Sequence, residues 1–195
     1  RARLEQVRMA KLVRKMVDGI MPAIFGNSPK KLANLSKSDE EVDALHVAIV
    51  RYLGHLSQQQ LVSPQMEMLS EGIAVTNYLE NIGDVIETDL VGDGETLLQK
   101  DLKISDSTRE ILKPLQQKVR WAFGQIVSAI EDGDQERVRS VINAKKEIKL
   151  LSTQANLHLS KRLAVSPGAQ IEVFRIESEI VENLKRIFYL TRRIA

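Results

Sequence analysis

The chain has 195 residues, of which 43% are hydrophobic and only 4% aromatic, which suffices for one domain with an aliphatic core. It has no cysteine, which excludes disulfides, thiolate zinc sites and cysteine nucleophiles, and no apolar run near the roughly 18 residues that span a bilayer. A formal net charge of +2 is too small for a dedicated nucleic-acid-binding protein. Few glycines and prolines among many Leu, Ile, Val, Lys and Glu residues predict an all-α fold.

Apolar residues at helical spacing predict six helices, the first over about 4–25 and the third over about 64–90. Ser36 or Ser38 is predicted to begin the second helix, with Asp39-Glu40-Glu41 in its first turn, and Ser105 or Ser107 to precede the fourth. The predicted helix breaks are Gly26-Asn27-Ser28-Pro29, Ser63-Pro64, Gly92-Asp93-Gly94, Asp132-Gly133-Asp134 and Ser166-Pro167-Gly168.

The methionines, the tryptophan and one glycine allow more specific predictions about packing. Met66 and Met68, with Met9, Met16 and Met21, are interpreted as gap-filling core residues. Trp121 is interpreted as a residue at the core and edge of the fourth helix, and an exposed Trp121 would mark a docking patch. Gly83 lies inside the third predicted helix, where glycine costs about 1 kcal/mol relative to alanine. We therefore expect a neighbouring helix to pack closely against Gly83.

The two halves of the chain resemble each other at a nearly constant offset. The stretch that begins at Val42 precedes the one at Ile148 by 106 residues, and Leu79 precedes Leu184 by 105 residues. This predicts one domain over 1–195 made of two tandem antiparallel three-helix bundles with a pseudo-twofold repeat. Repeat 1 is expected over about 1–92 and repeat 2 over about 105–195.

A pair of acids gives the main functional clue. Glu80 and Asp84 are four residues apart on one helical face, and a facing acid such as Asp43 can add another oxygen ligand for a metal ion. The alternative is that both acids face solvent or pair with a Lys or Arg of a neighbouring helix. In the second half Lys185 and Tyr189 stand at the corresponding positions, so no metal is expected there.

Catalytic signatures are missing from the sequence. There is no Ser/His/Asp set, nucleophile elbow or kinase signature, and the Glu-x-x-His motifs of a di-metal bundle enzyme are absent. His46, His55 and His158 are too dispersed to predict zinc binding. Gly92-Asp93-Gly94 is acidic, which argues against a phosphate-binding loop. The chain is therefore predicted not to be an enzyme.

Two motifs resemble the PhoU family of phosphate-uptake regulators. An acid-rich stretch, Asp39-Glu40-Glu41-Val42-Asp43-Ala44-Leu45, and the box Glu80-Asn81-Ile82-Gly83-Asp84 are similar to motifs of that family's repeat. The resemblance implies tandem three-helix bundles without catalytic activity, some of which bind metal ions through such acidic boxes. A metal ion at the first-repeat box is accordingly the one cofactor expected here.

The resemblance leaves two functional settings open. The one favoured is a cytosolic regulatory domain of a sodium/phosphate cotransporter-family membrane protein, at the cytoplasmic face of the membrane. Its partner would be the transporter's membrane domain or transporter subunits, with a homodimer as a further assembly. The alternative is a free-standing cytosolic regulator of an ABC phosphate transporter and a sensor kinase.

The first fifteen residues are strongly basic, which bears on that choice. They contain six cations against one acid, namely Arg1, Arg3, Arg8, Lys11, Arg14 and Lys15 against Glu5. A solvated helix face explains them, and so does a juxtamembrane segment beside an anionic inner leaflet.

Overall fold

The computed structural model describes residues 2–58, 62–165 and 171–195, which are helical almost throughout and contain no strand. The α-helices are α1 (Ala2–Phe25), α2 (Pro29–Ser57), α3 (Ser63–Asp84), α4 (Gly92–Gln99), α5 (Asp106–Asp132), α6 (Gln135–Asn143), α7 (Lys145–Val165) and α8 (Ile171–Ile194). A π-helical segment, Val85–Val91, joins α3 directly to α4, and one residue separates α6 from α7. Counted as continuous helices, these are the six predicted, and the all-α fold is confirmed.

The helices form two three-helix groups that share one core. In the first group α1 packs on α2 and α3, and in the second α5 packs on α7 and α8. The groups meet where α1 contacts α5 and where α3 contacts α8. Large side chains with at most 1% exposed surface fill the space between the helices, among them Met9, Met16, Ile20, Leu79, Ile82 and Phe123.

Buried positions recur at the predicted offset. Several positions of α2 and α3 that face the core have a buried counterpart 105 or 106 residues later on α7 or α8. The pairs are Val42 and Ile148, Ile49 and Ala155, Leu79 and Leu184, and Ile82 and Ile187. This agreement in phase supports a duplicated three-helix unit, while the repeat boundaries stay a prediction.

The second helix begins earlier than predicted. It starts at Pro29 and not near Ser36 or Ser38, because the Ser28 hydroxyl accepts a hydrogen bond from the Lys31 amide and proline suits the first helical position. Ser38 lies inside the helix, where its hydroxyl donates to the Asn34 carbonyl at 2.9 Å. The longer helix moves Asp39 from a first turn to a third, which matters for the site below.

The glycines at 92–94 do not end the third helix as predicted. The chain continues through the π-helical segment into α4 and turns only at Asp101, where φ is 50°. Gly94 lies against α2, since a Cβ at this position would be 3.0 Å from Leu32 Cδ1. Gly94 therefore permits close helix packing, whereas a Cβ at Gly92 would meet nothing within 4 Å. The acidic loop expected here is a helix.

Of the remaining expectations about helix breaks and core residues, some are confirmed and others are wrong. The breaks at Gly26–Pro29, Ser63–Pro64 and 132–134 are present, and Ser105 caps α5, whereas the predicted break at 166–168 lies outside the described residues. The interpretation of Met66 and Met68 as core residues is wrong, because they are 52% and 72% exposed. Trp121 lies at the edge of α5, 36% exposed. No helix in the described part is both long and apolar enough to cross a membrane.

Candidate metal centre

Two neighbouring helices bring a set of acids together. Asp39 and Asp43 lie one turn apart on α2, and Asp84 ends α3, which packs against α2. Carboxylate oxygens of these three aspartates all lie within 4.8 Å of one another. That spacing suits oxygens that share one hard cation, because such ions bind carboxylates at about 2.0–2.6 Å.

The sequence-based trio of Glu80, Asp84 and Asp43 is only partly the one that the structure assembles. Asp43 and Asp84 come together as expected, and Asp39 is the third member in place of Glu80. Glu80 lies close by, since burial and then the charge of Asp84 raise its pKa, so it remains beside the cluster. The spacing of four between Asp39 and Asp43 repeats that of Glu80 and Asp84, and this signal in the sequence could have identified Asp39.

Asp39 is the buried member of the cluster. Its side chain is 7% exposed, and Oδ1 has no hydrogen-bond partner among the described residues. A buried carboxylate oxygen without a partner carries a desolvation penalty that a bound cation or a proton can offset. The fit to a metal ion therefore depends most on Asp39.

Gly83 makes room for that carboxylate. A Cβ at position 83 would lie 2.5 Å from Asp39 Oδ1, closer than any real contact, and 3.5 Å from Val42 Cγ1. The predicted close helix approach at Gly83 is thus present, and the group that approaches is the Asp39 side chain. A glycine in this helix interior allows α2 to place its acid against α3.

The electrostatics of the cluster favour a positive ligand. Burial first, and then the charges of Asp43, Asp84, Glu87 and Glu80, raise the pKa of Asp39 to about 7. Burial also raises the pKa values of Glu80 and Asp84, with the neighbouring Asp84 adding to the first and Asp43 to the second. Five acids therefore share one region at the junction of α2, α3 and the π-helical segment.

Few cations oppose this charge. None of the five acids forms an ion pair within the described ranges 2–58, 62–165 and 171–195, which disfavours the alternative of pairing with a Lys or Arg. His46 lowers the pKa values of Glu80 and Asp84, and Arg186 lowers that of Asp84, but neither effect exceeds that of burial. His46 itself donates from Nε2 to Asn77 Oδ1 at 2.9 Å.

The π-helical segment begins at the residue that follows Asp84. Its seven residues include Glu87, whose carboxylate accepts a hydrogen bond from Thr88. Such segments interrupt α-helices rarely and often at functional sites, because they rotate the following side chains. No local signal in the sequence predicted it, since Val85–Val91 is an ordinary helix-compatible stretch.

The positions in the second half that correspond to Glu80 and Asp84 do not carry acids. Lys185 Nζ pairs with Glu182 at 2.7 Å, and the Tyr189 ring is largely exposed. No group of three metal-ligating side chains forms at this place among the described residues. The expectation that this half binds no metal stays a prediction.

The chain is similar to known proteins in sequence over its first half and in fold over nearly its whole length. The PhoU domain family matches residues 7–88, a range that includes all five acids of the cluster. The crystal structure of PhoU from Pseudomonas aeruginosa is similar to this chain with a TM-score of 0.91, and the likeness covers 99% of this chain and 91% of that one. Sequence identity is 18%, so the likeness establishes the fold. No curated protein matches the chain significantly.

Proposed function

We propose, from the premise that this chain carries a PhoU domain at residues 7–88 on a PhoU fold, that it is a non-enzymatic regulator of phosphate transport. The observation that carries the proposal is the acid cluster of Asp39, Asp43 and Asp84 inside the matched region. We further propose that this cluster binds a hard cation, such as Mg²⁺, Mn²⁺ or an iron ion, through carboxylate oxygens.

The bound cation would neutralise charge that now destabilises the contact between α2 and α3. Asp39 and Asp43 would hold it from α2 and Asp84 from the end of α3, while Glu80 and Glu87 lie near enough to add negative potential. Without the cation, the Asp39 carboxylate relieves the repulsion by retaining a proton at neutral pH. Occupancy would thereby control how firmly the π-helical segment is joined to α2, and with it the surface offered to a partner.

Of the two settings, the free-standing regulator has the stronger support. A solved structure with this fold is a PhoU chain, and this chain covers 91% of it. Cations of the basic first helix also contact the rest of the protein: Arg3 Nε donates to the Ile130 carbonyl at 3.1 Å, and Lys11 Nζ pairs with Glu131 at 2.7 Å. Those contacts favour a helix face used within the fold over a juxtamembrane segment. The cotransporter-domain setting is the second candidate.

In the free-standing setting, the partners would be a phosphate transporter component and a signalling protein in the cytosol, and a second copy of the chain would be a further partner. Exposed apolar side chains at the start of α3, Met66 and Met68, supply contact area for such docking. Regulation by docking needs no catalytic group.

A complementation experiment tests the proposed function. The chain would be expressed in a bacterial host that lacks its own PhoU, and cellular phosphate accumulation would be measured in phosphate-rich medium. We expect normal control of accumulation with the natural sequence and reduced control with Asp39→Asn/Asp84→Asn. Glu40→Gln serves as a matched control, because Glu40 is an exposed acid that adjoins Asp39 outside the cluster.

The outcome also separates the two settings. Restoration by the chain alone would support the free-standing regulator. Restoration only when the chain is fused to a sodium/phosphate cotransporter membrane domain would support the second candidate. No effect on phosphate accumulation in either form would overturn the proposed function.

A further inference from the structure

A groove between α7 and α8 is lined by cations. Its volume is about 340 Å³, and Lys145, Lys149, Lys185 and Arg192 all line it, whereas no acid does. A volume of this size falls within the range of about 300–1,000 Å³ that is typical of small-molecule sites and is small for a docked protein segment. The groove lies in the second half of the chain and shares no lining residue with the acid cluster.

The groove is the counterpart of the acid cluster with its charge reversed. At the offset that relates buried positions of the two halves, 106 residues on α7 and 105 on α8, each of four acids is replaced by a cation. The replaced pairs are Asp39 and Lys145, Asp43 and Lys149, Glu80 and Lys185, and Glu87 and Arg192. A surface that has merely lost its metal ligands would hold neutral or mixed side chains, and this one holds only cations among its charged residues.

The positive charge of the groove is largely uncompensated. Lys145, Lys149 and Arg192 form no ion pair or hydrogen bond through their side chains within the described part of the chain. Lys185 alone has an acidic partner, Glu182, at 2.7 Å. Cations held together without counter-charges provide a favourable potential for an anion.

An apolar floor accompanies the cations. Ile148 and Phe188 are buried and line the groove, and Phe188 stands at the position that corresponds to Gly83. A phenyl ring thus occupies the place where the first half has no side chain, and the exposed Tyr189 ring lies beside it. The site combines charge-assisted donors for an anion with aromatic surface for an apolar group.

We propose that this groove binds a small phosphorylated ligand that carries an apolar part. Lysine and arginine side chains are suited to phosphoryl oxygens, and the Ile148 and Phe188 surface would contact the apolar part. A nucleotide has this chemistry, and so does an anionic phospholipid headgroup with the first carbons of its chains. The site requires neither a bound metal nor the acid cluster.

Isothermal titration calorimetry of the whole chain with ADP, and separately with inorganic pyrophosphate, is the first arm of the test. Co-sedimentation with phosphatidylglycerol vesicles, compared with phosphatidylcholine vesicles, is the second. We expect one of these ligands to bind at physiological salt and Lys149→Gln/Lys185→Gln to weaken binding about tenfold or more, because charge-assisted hydrogen bonds are lost. Lys146→Gln is the matched control, since Lys146 is exposed on the same helix but does not line the groove.

The two arms distinguish a soluble organic phosphate from a lipid headgroup. Binding of ADP that exceeds that of pyrophosphate identifies a soluble organic phosphate, whereas binding only to anionic vesicles, with the same loss in the double variant, identifies a lipid headgroup. Equal binding by natural chain and double variant would overturn the proposal, and so would absence of binding to ADP, to pyrophosphate and to phosphatidylglycerol vesicles beyond that to phosphatidylcholine vesicles. Circular dichroism melting of each variant confirms that the fold is retained. Asp39→Asn should leave this binding unchanged, which separates the groove from the metal proposal.

Discussion

A side chain at position 83 and the carboxylate of Asp39 cannot occupy their present places together, because a Cβ on Gly83 would lie 2.5 Å from Asp39 Oδ1. The glycine belongs to α3 and the acid to α2, so the missing side chain of one helix defines the position of an acid on the other. A substitution at Gly83 is therefore expected to disturb the candidate metal centre, although Gly83 has no side chain that could bind the metal.

Gly83→Ala should therefore abolish the metal response while leaving the protein folded. The added methyl group would displace the short Asp39 side chain from the cluster, and the gain in helix propensity, about 1 kcal/mol, would offset part of the strain. We expect little net change in the free energy of unfolding without metal, and loss of the rise in melting temperature on addition of Mn²⁺.

Gly54→Ala is the control for that experiment. Gly54 also lies inside a helix, α2, but, apart from the adjoining residues and backbone of α2 itself, no atom of the described residues lies within 4 Å of the position that a Cβ would take there. It should gain about 1 kcal/mol in stability and keep the full metal response. If both variants respond to metal alike, the proposed role of the contact between Gly83 and Asp39 is wrong.

The pH dependence of stability follows from the same burial. In the folded protein, burial and neighbouring acids raise the pKa of Asp39 to about 7 from an ordinary value near 3.8. The folded state then binds a proton that the unfolded state has released, so the stabilisation is complete below pH 4 and is lost as pH rises through 7. Burial, followed by Glu179, raises the pKa of Asp93 to about 7 and acts in the same direction.

We accordingly expect the metal-free protein to become less stable between pH 5 and pH 8, as measured by urea unfolding. Asp39→Asn removes one of the two titrating groups and should reduce the slope of the pH profile, leaving the part due to Asp93, with a gain in stability at pH 8. Metal affinity should change in the opposite direction and increase with pH, because the ligating carboxylate must lose its proton. A stability that rises from pH 5 to pH 8 without metal would contradict this account of Asp39.

Much of the fold was predictable because helix-period apolar spacing and strong caps act locally. Ser105 and Gly133 mark helix ends by their own chemistry, and the structure places the ends there. The second helix was misplaced because three serines competed as caps, and Ser28 followed by Pro29 is the strongest combination. Gly94 packs closely against Leu32 of α2 within a helix, and local propensity cannot predict such a contact.

The methionines of α3 show that residue type alone does not predict burial. Met66 and Met68 were assigned to the core by composition, yet both are largely exposed, whereas Met16 has no exposed surface. Met68→Ser should change the free energy of unfolding by no more than about 0.5 kcal/mol, the range typical of surface substitutions. Met16→Ala should cost about 2–5 kcal/mol, because it leaves a cavity in the core. Chemical denaturation measures both, and a similar loss in the two variants would contradict the burial described here.

A buried ion pair in the second half supplies a further prediction. Arg162 Nη1 donates to both carboxylate oxygens of Glu177 at 2.8 Å, and Glu177 is 1% exposed. Arg162→Met would leave that carboxylate without its cation and should cost about 3–5 kcal/mol. Arg162→Met/Glu177→Met should recover much of the loss, because no charge then remains buried. Thermal unfolding of both variants is the measurement, and a double variant less stable than the single one would refute the explanation.

The candidate site was predictable only in part, for a physical reason. Glu80 and Asp84 were visible as a one-turn pair, but which acid faces them depends on the register between α2 and α3. In the structure that register places Asp39 opposite Gly83 and leaves Glu80 outside the group of three aspartates. The π-helical segment after Asp84 also lies beyond what residue propensities predict.

The most direct test of the central claim is calorimetric titration of the metal-stripped protein with Mn²⁺ at pH 7.5. We predict saturable binding that is lost in Asp39→Asn/Asp84→Asn and preserved in Glu40→Gln. Absence of binding to the natural chain, or equal binding by the double variant, would contradict the assignment of the acid cluster as a metal centre.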